Sequence, residues 1–169
     1  ADLDRVLSQS RDYEDALDSA RRWLAEKRFQ VGVHILESLI TVERAEAALS
    51  DLADVTLTCL VPRVEAAYVA RFGTLPGGGL AVIAMGKYGG RELSFTSDLD
   101  IIIVYDVADA TAESSGPRQV GPSRYYSGLA QNLITAITAL TKEGRLYEVD
   151  TRLRPSGRQG PLAVHVSTF

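Results

Sequence analysis

The stretch Gly86-Lys87-Tyr88-Gly89-Gly90-Arg91-Glu92-Leu93-Ser94-Phe95-Thr96-Ser97-Asp98-Leu99-Asp100-Ile101-Ile102-Ile103-Val104-Tyr105 sets a glycine-rich turn and two aspartates, one residue apart, directly before a strongly apolar run. β-Branched residues dominate from Leu99 to Tyr105, which reads as a buried strand. On a strand, residues i and i+2 share a face, so Asp98 and Asp100 point the same way. Adjacent carboxylates repel and push one pKa up. Keeping both ionised at a buried strand end calls for a compensating cation, and a hard divalent ion with oxygen ligands is the natural one. Backbone N–H groups of the turn are placed to hold phosphate beside it.

A third carboxylate arrives in phase much later. Leu146-Tyr147-Glu148-Val149-Asp150-Thr151-Arg152-Leu153-Arg154 alternates, with Tyr147, Val149 and Leu153 on one face and Glu148, Asp150, Arg152 and Arg154 on the other. If this strand lies beside the first, Asp150 completes a triad with Asp98 and Asp100. Three carboxylates around two Mg²⁺ ions about 4 Å apart suit in-line attack on a nucleotide α-phosphate. Lys87, Arg91, Arg152 and Arg154 fall in the same two motifs, where cations would meet an anionic triphosphate.

Simpler readings compete for each part. An isolated Asp-x-Asp is often a turn or a helix cap, and glycine-rich turns are common connections. No Ser or Thr follows Gly86-Lys87, so this is not a Walker loop, and the glycines do not make G-x-G-x-x-G. The following oxygen ligands of an EF-hand are also missing. The conjunction of turn, paired aspartates and distant in-phase aspartate carries more weight than any one part.

Taken together, Gly86-Lys87-Tyr88-Gly89-Gly90-Arg91-Glu92-Leu93, Ser97-Asp98-Leu99-Asp100 and Tyr147-Glu148-Val149-Asp150-Thr151-Arg152-Leu153-Arg154-Pro155-Ser156-Gly157 resemble the glutamine synthetase adenylyltransferases, bifunctional bacterial enzymes of nitrogen assimilation. The resemblance implies an α/β nucleotidyltransferase fold of DNA polymerase β type, a mixed sheet preceded by a helical segment. It implies Asp98, Asp100 and Asp150 as catalytic metal ligands for Mg²⁺, with ATP as substrate. The turn with Gly86, Lys87, Gly89 and Arg91 would cradle phosphate, helped by Ser97, Arg152 and Arg154. The wording of the second motif looks more like the C-terminal half of such enzymes, which transfers AMP from MgATP to a tyrosine of glutamine synthetase. The N-terminal half removes AMP by phosphorolysis and keeps the same aspartates, so the triad leaves both directions open, beside a non-catalytic regulatory module. A PII-type signalling protein is an implied partner. Full-length members are several times longer and continue into helices that complete the nucleotide pocket, so the resemblance implies a catalytic scaffold without its whole site.

The 169 residues, 46% hydrophobic, are enough to bury a sizeable core. A net charge of −4 gives no nucleic-acid footprint, and no basic stripe with interleaved aromatics suggests a polymerase role. Cys59 is the single cysteine and excludes an internal disulfide framework; a packed thiol and a cytoplasmic setting are expected. With His34 and His165 alone, a zinc site is not expected, and no apolar run reaches membrane-spanning length.

Residues 1–73 read as a helical segment, 74–79 as a linker, and 80–169 as the catalytic core. Tyr13, Ala16, Leu17, Ala20 and Leu24 keep helical spacing, with a break expected around Phe29 to Val31. Thr41 should cap a longer helix that Pro62 kinks or divides. The first strand should run from about Leu80 to Met85, followed by a short helix at Gly86. Residues 106–122 read as a mobile loop. Ser123 should cap a helix whose stripe runs from Tyr126 through Leu129, Leu133 and Ile137 to Leu140.

Overall fold

A computed structural model describes residues 2–153 and 160–168. The apolar run that follows Asp98 and Asp100 lies at the centre of a mixed four-stranded sheet. Strand β1 (Gly78–Ala84) and strand β2 (Leu99–Val107) pair antiparallel, from Gly78 opposite Val107 to Ala84 opposite Ile101. On its other edge β2 pairs parallel with β3 (Val149–Asp150) and, further along, with β4 (Ala163–His165). Flanked on both edges and with side chains buried on both faces, β2 can be apolar almost throughout. Leu99, Ile101, Ile103, Tyr105 and Val107 join the main core, while Ile102 and Val104 form a smaller cluster with Val164. By the same alternation Asp100 falls on the face of Ile102, opposite the main core.

Helices cover the core face. Helix α1 (Asp2–Ser8) buries Leu3 and Leu7, one turn apart. Helix α2 (Tyr13–Leu36) starts at Asp12, whose carboxylate accepts from the Asp15 N–H at 2.9 Å. It passes unbroken through Phe29 to Val31, where a break was expected. Val31 and Ile35 lie seven and eleven residues after Leu24, so the two apolar stripes keep one helical phase and nothing between them interrupts it. Helix α3 (Val42–Phe72) is capped by Thr41, as expected, and ends at Gly73 with φ of 76°. It also continues through Pro62 rather than dividing there. A proline costs about 3 kcal/mol inside a helix. The stripes on both sides, Leu57 and Leu60 before it and Val64 and Tyr68 after it, pack into the same core, and their burial outweighs that cost.

The parallel step from β2 to β3 uses a crossover helix, α5 (Pro122–Thr138). Its buried face includes Tyr126, Leu129, Leu133 and Ile137, and Tyr105 stacks on Tyr126 with ring centroids 4.6 Å apart. The N-cap is Gly121, not Ser123, because Pro122 takes the first helical position, where its missing N–H costs nothing. Leu140 lies beyond the helix end and is 72% exposed, since the chain leaves at Ala139 for a tight turn between Thr141 and Gly144. The segment between β2 and α5, expected to be mobile, is tied down. Ser114 is fully buried and exchanges bonds with Val120, the Ser115 N–H donates to the Thr74 carbonyl, and the Thr74 N–H donates to the Ser115 hydroxyl. Strand β1 begins at Gly78, inside the stretch expected to be linker, because Gly78 and Gly79 already pair with Val107 and Asp106. Among the described residues no helix is long and apolar enough to cross a membrane.

One buried charge ties these parts together. Arg21 of α2 is 3% exposed, donates to the Ala136 carbonyl in the last turn of α5 at 3.2 Å, and pairs with Asp18 at 3.0 Å. Asp18 in turn accepts from the Thr141 hydroxyl at 3.1 Å, just before the chain enters β3. Arg21→Ala is expected to cost about 3 kcal/mol, because Asp18 loses its partner and an α5 carbonyl loses its donor. Arg21→Met, which refills the volume, should cost less. Urea denaturation midpoints of the two variants check the order.

Candidate active site

The parallel register of β2 and β3 sets Leu99 opposite Val149 and Asp100 opposite Asp150. Asp98, one position before β2, shares the face of Asp100. One carboxylate oxygen from each of Asp98, Asp100 and Asp150 lies within 4.8 Å of the others. The structure thus brings together residues 50 apart in the chain through two residue pairs. Among its described residues the second motif forms less strand than its alternation suggests: β3 is Val149–Asp150, and the chain turns at Arg152 and Leu153. Leu153 is consequently 52% exposed, while Tyr147 is buried beneath the Arg28 guanidinium, 5.9 Å from its ring centroid.

The glycine turn closes over the same spot. The Met85 N–H donates to the Asp100 carbonyl at 2.8 Å, which extends the β1–β2 ladder to the edge of the triad. Gly86 then takes φ of 50° and opens the four-residue helix α4 (Gly86–Gly89). A Cβ on Gly86 would collide with the Asp100 carboxylate, and one on Gly89 would stand 2.7 Å from the Ala84 carbonyl. Both glycines are therefore required by close approach, Gly86 also by its left-handed backbone.

Electrostatics follow from this crowding. Burial first, then the Asp98 and Asp150 carboxylates, push the Asp100 carboxyl above its ordinary range, against Arg152 and Lys87, whose charges act the other way. The donor set is wholly carboxylate, the hard oxygen chemistry that Mg²⁺ takes, and Gly86 leaves clear the space beside Asp100 that a side chain would fill. These residues fit a divalent cation.

The remaining expected contacts divide. The Arg152 N–H and Nε donate to the two Asp150 oxygens at 2.8 and 2.6 Å, so this cation stands at the triad. Lys87 is exposed in α4. Ser97 closes the turn that delivers Asp98: its hydroxyl accepts from the Ser94 N–H at 3.0 Å. Arg91 faces elsewhere, paired with Asp51 and Asp54 of α3. Arg154 lies outside the described residues, as do Pro155, Ser156 and Gly157 of the same motif. Asp51 and Asp54 did not stand out in the sequence. Two carboxylates three apart on an exposed helix face look like ordinary surface charge, and only the fold supplies their partners.

Over its whole length, residues 1–169, the chain matches a family profile described as GlnE, glutamate-ammonia ligase adenylyltransferase. A bifunctional glutamine synthetase adenylyltransferase/adenylyl-removing enzyme of Mesorhizobium japonicum is 46% identical over 100% of this chain and 17% of its own length. Enzymes with the same description are 45% identical over 99% of the chain in Brucella melitensis biotype 1 and 43% identical over 100% in Xanthobacter autotrophicus, again covering 17% of each relative. The chain thus spans about a sixth of the length of these curated relatives.

Two outcomes are expected from the geometry. Gly86→Ala should cost about 1 kcal/mol or more through the left-handed backbone alone. It should also weaken Mn²⁺ binding by displacing Asp100, as a metal titration would register. With no metal bound, the Asp100 carboxyl titrates above its unfolded value, so its ionised form destabilises the fold. That penalty is absent below the unfolded pKa and complete above the raised one. Asp100→Asn is therefore expected to raise the metal-free melting temperature at neutral pH, with the gain vanishing as the pH falls below the ordinary carboxylate range.

Proposed function

Because the chain belongs to the glutamate-ammonia ligase adenylyltransferase family, we propose that its carboxylate triad serves the transfer of AMP from MgATP to a tyrosine of glutamine synthetase, with release of pyrophosphate. The observation that carries this reading is the convergence of Asp98, Asp100 and Asp150 beside the glycine turn. In it, Asp98, Asp100 and Asp150 hold two Mg²⁺ ions. When bound, these supply charge neutralisation of the triphosphate and a lowered pKa for the attacking hydroxyl.

Each of the chain's own groups then has a task. The turn from Gly86 to Gly89 presents backbone to the phosphates, supported by the missing side chain at Gly86, where a Cβ would strike the Asp100 carboxylate. Arg152 and Lys87 offer positive charge to the phosphate oxygens, a guanidinium bidentately. In this reading Asp150 accepts the tyrosine proton, a role supported by its register opposite Asp100. Asp98 is the more exposed ligand and Asp100 the more enclosed. The packed core on the far face of β2 supports preorganisation of these groups.

The reverse direction has its own support. The relatives are named as both adenylyltransferase and adenylyl-removing enzymes, and the same triad would serve phosphate attack on an adenylylated tyrosine to yield ADP. Supplying α-labelled ATP, Mg²⁺ and unmodified glutamine synthetase is expected to leave label on the synthetase, and Asp100→Asn to reduce it to background. ADP formed from adenylylated synthetase and phosphate, with no forward transfer, would assign the removing direction. MgATP binding with neither reaction would instead mark a regulatory nucleotide module.

A further inference from the structure

Helix α4 has only four residues, too few to stand by itself, since the first helical turn costs more than its hydrogen bonds return. Its near end is fixed to β2 through Met85. Its far end is fixed by α3, in a part of the molecule remote in sequence from either motif. Tyr88, 5% exposed, points its hydroxyl at Asp54 and donates to that carboxylate at 2.7 Å. Arg91 follows with φ of 61°, a left-handed backbone that a residue with a long side chain seldom adopts, and its guanidinium spans Asp54 at 3.3 Å and Asp51. The two attachments differ in weight. The Arg91 pairs are about half exposed and screened, whereas the Tyr88 bond is made by a buried phenol to a carboxylate oxygen.

We propose that Asp54, through Tyr88 and secondarily Arg91, is a positioning residue that holds the glycine turn in register over the carboxylate triad, so that α3 sets the affinity for the nucleotide's phosphates. The inference rests on the reading above, in which that turn meets the triphosphate. It also reassigns Arg91 from phosphate ligand to anchor. Asp54 acts on the turn and not on the carboxylates, so its loss should separate two affinities that ordinarily move together. Metal held by Asp98, Asp100 and Asp150 should be little affected, while nucleotide held by turn and metal jointly should be weakened.

The test is titration of the chain with Mn²⁺ alone and with Mn²⁺ plus a non-hydrolysable ATP analogue, well below the melting temperature of each variant. Asp54→Ala is expected to lower analogue affinity about tenfold while Mn²⁺ affinity stays within about twofold. Asp54→Asn keeps an acceptor for Tyr88 and should recover most of the loss. Asp54→Ala combined with Tyr88→Phe should be no weaker than Asp54→Ala alone, because both remove one interaction. Unchanged or tighter analogue binding in Asp54→Ala, as expected if releasing Arg91 frees a phosphate ligand, would overturn the proposal. So would parallel loss of metal and analogue, which marks a general structural defect. If the unsubstituted chain binds Mn²⁺ but no analogue, the nucleotide reading itself fails and takes this inference with it.

Discussion

Two residue pairs between β2 and β3 bring three negative charges to one place, and the rest of the molecule is arranged to tolerate that repulsion. Burial of Asp100, and after it the like charges of Asp98 and Asp150, push its carboxyl upward and oppose folding of the ionised form. The compensating free energy comes from the opposite face of the same strand. There Leu99, Ile101 and Ile103 are essentially inaccessible, and each is worth about 2 kcal/mol of apolar burial. Alternation along one strand thus separates stability from chemistry by a single peptide unit.

A strand of two residues cannot hold itself in register, so β3 depends on how its chain is delivered. Helix α5 carries the crossover, and its last turn is fixed to α2 by Arg21. Asp18 beside it holds the Thr141 hydroxyl at the turn that follows. The Tyr147 N–H returns to the Ile137 carbonyl at 3.2 Å, three residues before Asp150. Helix α3 stands in a similar relation to the other side of the site through Tyr88 and Arg91. The helices are therefore more than a cover for apolar surface. Each of the two long ones fixes one of the chain segments that meet at the triad.

Much of this was legible because it depends on local rules. The β-branched run of β2, the stripe of α5 and the Thr41 cap all follow from side-chain shape and periodicity. Expectations failed where packing outweighed a local signal. Of the kink or division expected at Pro62, the division does not occur, because the apolar stripe is continuous on both sides of it. The segment after β2 has the composition of a loose loop, yet its buried Ser114 and its bonds to Thr74 hold it against the end of α3. The alternation of the second motif promised a longer strand, but among its described residues Val149 and Asp150 alone pair in register with β2.

Residue type and spacing alone determined that acidic groups would share a face at the start of a buried strand beside a glycine-rich turn, and with the resemblance they determined the family. Those properties reside in single residues and their immediate neighbours. Tertiary structure decided that Asp150 meets Asp100, that Arg152 stands at the triad while Arg91 turns to Asp51 and Asp54, and that Tyr88 anchors the turn to α3. Each of these is a contact between charges or dipoles far apart in the chain. Such contacts act over a few ångströms, so they exist only once the sheet and the crossover helix have brought the groups together.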